Sequence, residues 1–191
     1  MIGVPLDIVY VNLKSKELEH GGSFYDVNTL GQVSVLQLDD GSKLTETSAV
    51  LLWLQSQSSN ANFRVNPEDA EYFQMLRWTM FCATELHKGL FRVVFYDEAT
   101  DLVKDRVRDL APLRFSVLDN HLANHPFLAG DRFTAADAYL SWFFVLSEKA
   151  QLDHSDYPNL ESYRQTVLAR PALKELIESD RCTTGYRLCK S

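Results

Sequence analysis

Two adjacent residues, Glu46 and Thr47, stand where an apolar helical pattern begins. A helix start leaves its first backbone N–H groups without intrahelical partners. With the Thr47 hydroxyl these amides form an anion site, and Glu46 supplies an acidic counter-charge beside it. A ligand carrying both a carboxylate and an ammonium needs that combination. Taken alone, the stretch also reads as a plain cap, with Thr45, Thr47 or Ser48 closing the helix start. His87 and Lys88 are the second candidate. Positive charge next to a thiolate lowers a thiol's pKa, so the pair suits thiol activation, with a solvated helix face as the alternative. Ser34, Tyr10 and Tyr25 are further hydroxyls with no geometric reason to act. Thr134 and Asp137, three apart at another helix start, form a capping box and are assigned to folding alone.

The elements that must hold these residues follow from periodicity. Leu6 to Leu13 alternates and is rich in β-branched residues, which predicts a half-buried strand. Val33 to Leu38 and Lys43 to Leu44 flank Asp39-Asp40-Gly41-Ser42, a tight hairpin turn. A helix is expected over Thr45 to Leu54. Gln55 to Asn66 lacks periodicity and reads as an inter-domain linker. Beyond it everything is helical. One long helix opens at Asn66-Pro67-Glu68-Asp69 and runs to about Val94; a second spans about Glu98 to Ala123 and is interrupted at Pro112. A buried helix covers Ala135 to about Glu148, and Pro158 and Pro171 open two short helices. Trp53, Trp78 and Trp142 read as core or domain interface.

Composition removes several function classes. The chain has 191 residues, a formal charge of −7 and no Lys/Arg run, which argues against a nucleic-acid footprint or a polybasic membrane patch. Its longest apolar stretch, Tyr139 to Leu146, is too short to span a bilayer, and the N-terminus lacks a signal pattern, so a cytoplasmic protein is expected. Cys82 reads as core, and Cys182 and Cys189 as unconnected thiols. No metal-ligating cluster is expected.

Three stretches carry a resemblance. Asn28-Thr29-Leu30-Gly31-Gln32-Val33-Ser34-Val35-Leu36, followed by Leu38-Asp39-Asp40-Gly41 and Leu44-Thr45-Glu46-Thr47-Ser48-Ala49-Val50, is similar to the glutathione-anchoring segment of the glutathione transferases. Ala83-Thr84-Glu85-Leu86-His87-Lys88 resembles a signature of their bacterial beta class. So does Gly130-Asp131-Arg132-Phe133-Thr134-Ala135-Ala136-Asp137-Ala138-Tyr139-Leu140. The likeness runs from Leu6 to about Leu176. It implies an α/β plus all-α fold: a truncated thioredoxin-like unit over residues 1–56, a linker over 57–65, and a helical domain over 66–191.

The same resemblance implies that glutathione is the substrate, held by Val33, Ser34, Glu46 and Thr47, with His87 and Lys88 approaching its sulfur. The partner substrate is a small-molecule electrophile and the assembly a homodimer, with no nucleic acid and no membrane. Two departures qualify this. The family's first strand and helix, whose turn carries the residue that touches the sulfur, have no counterpart, because Met1 to Pro5 aligns with the end of that helix. The family's cis-proline is Ser34 here, and a cis bond before a non-proline residue costs about 2.5–4 kcal/mol, so a trans bond is expected. The absent strand is central in the family's sheet. The Leu6–Leu13 strand therefore has to pair directly with Val33–Leu38, or another chain has to fill the gap, or the gene product starts further upstream. Weak glutathione binding and low conjugating activity are expected, with a non-catalytic binding protein as the alternative.

Overall fold

Asp40 and Gly41 turn the chain as their types dictate. Asp40 Oδ1 accepts the Ser42 amide at 2.8 Å, and β1 (Val35–Gln37) pairs antiparallel with β2 (Lys43–Thr45), Leu36 facing Leu44, in the computed structural model, which describes residues 5–180. These two strands are the whole sheet among the described residues. Helix α1 (Thr47–Ser56) follows directly and carries the hairpin onto the helical part of the molecule.

That part is built on one long run of helix. α2 (Tyr72–Phe81) continues without a break into a π-helical stretch (Cys82–Phe91) and a last α-helical turn, α3 (Arg92–Val94). Such wide turns are rare and concentrate at functional sites. Gly89 permits the winding: a Cβ there would stand 3.0 Å from the carbonyl oxygen of Thr84, five residues earlier. α4 (Asp101–Arg108) and α5 (Ala111–Leu122) are separated as Pro112 requires, because the proline occupies the first turn of α5. α6 (Ala135–Ala150), α7 (Pro158–Leu168) and α8 (Pro171–Asp180) complete the order. The main core gathers Trp78, Cys82, Leu86 and Leu90 from the long run, Phe115 and Leu118 from α5, and Leu140 and Phe143 from α6. Cys82 is fully buried, as a core residue should be. Cys182 and Cys189 lie outside the described residues.

Gln55 joins the hairpin unit to the helices. Almost wholly buried, it donates Nε2 to the Phe63 carbonyl at 2.8 Å and accepts the Ala135 amide at 2.6 Å. Both ends of its amide are satisfied, which is what burial of so polar a group demands. The capping box closes the start of α6: Asp137 accepts from the Thr134 amide and hydroxyl, the Leu128 amide and the Tyr163 hydroxyl.

Two expectations need correction. Leu6–Leu13 forms no strand; only an isolated antiparallel bridge links Val11 to Leu18, and Leu6, Ile8, Val9 and Tyr10 are exposed. A strand exists only through its neighbours, and among the described residues no strand lies alongside this segment to pair with it. It does not move across to β1. The long helix also starts at Tyr72, later than Asn66. Asn66 to Asp69 closes on itself, with the Asn66 amide donating to Asp69 Oδ2 at 2.8 Å, and the same carboxylate holds Arg132 at 2.9 Å. Among the described residues no helix is long and apolar enough to cross a membrane.

Candidate functional site

The start of α1 is left open. Among the described residues no side chain caps it, so its first-turn amides keep free donors. Glu46, immediately before it, holds φ 68° and ψ 117°, in the positive-φ region that non-glycine residues avoid. Backbone strain of this kind costs about 1–3 kcal/mol and concentrates at ligand clamps.

The loop before β1 is drawn in to meet this helix start. Asn28 Nδ2 donates to the Gln32 carbonyl at 2.6 Å, and Lys16 Nζ to the Gly31 carbonyl at 2.9 Å. Gly31 has φ +59°, which favours glycine, and a Cβ there would meet Tyr25 Cε1 at 2.7 Å, so a larger residue would be strained and would have to displace the Tyr25 ring. The Val33–Ser34 peptide that follows is cis, which overturns the expectation of a trans bond. Ser34 Oγ then donates to Thr47 Oγ1 at 3.3 Å.

From Thr47 the contacts cross to the helical domain. Thr47 reaches the Tyr139 phenol on α6 closely enough to act on its ionisation, and the Tyr139 hydroxyl lies 2.8 Å from His87 Nδ1 in the π-helical stretch. Burial pushes the Tyr139 phenol up to about 12; the Cys82 thiol adds to the shift, Thr47 opposes it, and the Glu46 charge adds a smaller push. Burial likewise lowers the His87 imidazole, helped by Lys88 and Arg92 and opposed by Glu46. At neutral pH the ring is therefore uncharged.

Ser34 meets Thr47, Tyr139 meets His87, and the Glu46 charge acts on both Tyr139 and His87. Lys88 is exposed beside His87, and Val33 is exposed at the edge of the cluster. Tyr10 and Tyr25 are exposed. Sequence reasoning did not pick out Tyr139, which looks like one more aromatic in an apolar helix. The signal that could have found it is its hydroxyl, since a tyrosine in a buried helix must find a partner for its O–H. Among the described residues no group of three His, Cys, Asp or Glu could hold a metal ion.

Comparison with known proteins places this geometry. Residues 81–171 match the family model described as glutathione S-transferase, C-terminal domain. A solved glutathione transferase from Methylococcus capsulatus str. Bath is 31% identical, with a TM-score of 0.88, covering 95% of this chain and 90% of that one. A sphingomonad glutathione S-transferase solved with glutathione is 27% identical with the same TM-score, 0.88, covering 95% of this chain and 90% of its own. Glutathione S-transferase GstA of Escherichia coli O157:H7 is 28% identical over 93% of this chain and 88% of that protein.

Proposed function

Because the chain belongs to the glutathione S-transferase family, we propose that it binds glutathione in the cleft between the hairpin unit and the helical domain, and transfers the thiol to a small electrophile. The γ-glutamyl carboxylate sits on the Thr47 hydroxyl and the first-turn amides of α1, and Glu46 faces the ammonium. The backbone at Val33 and Ser34 meets the cysteinyl part. His87 and Lys88 lie toward the sulfur. The observation that supports this reading is the pair of contacts, Ser34 with Thr47 at 3.3 Å and Tyr139 with His87 at 2.8 Å, with Thr47 acting on the Tyr139 phenol between them, which sets an amino-acid-type anchor near an imidazole.

One observation favours a second reading, a binding protein without turnover. With His87 uncharged at neutral pH, the positive charge that would ionise a thiol falls to Lys88 and, one turn on, Arg92. Retention on immobilised glutathione followed by a conjugation assay with a generic aromatic electrophile separates the two. Slow turnover above the uncatalysed rate supports the transferase; retention without turnover supports the binder; no retention contradicts both. We further propose a cytoplasmic homodimer, with exposed Phe73 and Met80 on α2 and Leu113 and Val117 on α5 available to be covered.

A further inference from the structure

Tyr139 and His87 are 52 positions apart and meet through more than one contact. The Tyr139 ring stacks on Phe143, centroids 5.3 Å apart at 25°, and His87 stands edge-on to both, 6.1 Å from Tyr139 at 85° and 6.0 Å from Phe143 at 61°. Residues 139 and 143 are one helical turn apart, so α6 presents them as a pair and the imidazole is caged on that side. We infer that Tyr139 is a positioning residue whose hydroxyl donates to His87 Nδ1, holding the ring with its proton on Nε2 and leaving that N–H as its one free donor.

The direction follows from the acid and base strengths of the two groups. The phenol is the stronger acid and the imidazole nitrogen the stronger base, so across 2.8 Å the favoured order is from the Tyr139 O–H to Nδ1. Burial keeps both partners in the forms this order needs, the phenol protonated and the imidazole neutral. The other charges facing His87 are Lys88 and Arg92 on its own helix and Glu46 at the start of α1. A neutral Nε2–H stabilises a thiolate sulfur by hydrogen bonding with no ionisation of its own. This last role rests on the glutathione reading; the tautomer does not.

The test is an NMR titration of His87 in the full chain, wild type against Tyr139→Phe, without glutathione. Phe keeps the ring and its stack on Phe143, and an unchanged denaturation midpoint checks the fold. A hydroxyl that donates to the neutral ring favours that form, so its loss raises the His87 pKa by about 0.5–1 unit. Thr47→Val, which leaves the Tyr139 hydroxyl in place, moves it by less than half as much. A fall in Tyr139→Phe means Nδ1–H is the donor and overturns the assignment. So does an unchanged value, or an equal rise in Thr47→Val. Because no ligand is present, the result is independent of whether glutathione binds.

Discussion

Gln55→Leu removes the amide that ties the end of α1 to the start of α6 while nearly preserving volume. It strands the Ala135 amide, a first-turn donor of α6 in a residue that is 1% exposed, and the carbonyl of Phe63, which is only partly buried. A buried donor left without a partner costs about 1–3 kcal/mol. The Phe63 carbonyl regains water and adds about 0.5 kcal/mol, and the extra apolar burial of Leu offsets about as much. The expected net loss is about 2 kcal/mol, a large share of the 5–15 kcal/mol typical of a folded domain. Urea denaturation measures it as a lower midpoint at unchanged slope. Exposed Gln57, two residues on, is the control, and Gln57→Leu is expected to stay within about 0.5 kcal/mol of wild type. If Gln55→Leu loses no more than the control, the bridge between hairpin and helices lies elsewhere and the reasoning fails. The same bridge orients α1, whose other end carries Thr47.

Two further predictions concern the long helix and its surroundings. Gly89→Ala in an ordinary helix interior gains about 1 kcal/mol, but here the new methyl meets the Thr84 carbonyl at 3.0 Å, so a loss is expected in thermal or urea denaturation; a gain of that size would show that the wide turn re-forms without penalty. His87, His121 and His154 all have lowered pKa values, with burial the first cause in each. The unfolded chain takes up protons below about pH 6.5 that the folded chain refuses, so stability is present above that pH and is lost as pH falls toward the lowered folded values. Urea midpoints at about pH 7.5 and about pH 5.5 check the sign, with His154→Gln expected to shallow the slope and a flat profile contradicting it.

The sequence made legible those features whose cause is local. Asp40-Gly41 specifies its turn, Thr134 and Asp137 their cap, and Pro112 the break between α4 and α5, each through a few neighbouring atoms. Glu46, Thr47 and His87 were legible as types in a recognisable order. Leu6–Leu13 was misread because alternation records fitness for a half-buried surface and says nothing of whether a partner strand lies beside it. The π-helical winding at Cys82–Phe91 left no periodic signature, although it decides where His87 and Lys88 fall around the helix. Tyr139 was hidden because its role depends on a contact across 52 positions. The cis peptide at Ser34 was misread from the general preference against such bonds.

Glu46 and Thr47, at the open start of α1, are the proposed anchor of a glutathione-type ligand. Isothermal titration calorimetry of glutathione into the wild-type chain and into the Glu46→Ala, Thr47→Ala double variant decides whether they hold it. Losing a carboxylate facing an ammonium and a hydroxyl on a carboxylate removes charge-assisted hydrogen bonds worth about 1.5–3 kcal/mol each, so the prediction is weak binding to the wild type and at least a tenfold weaker Kd for the double variant. Equal affinity in both would contradict it.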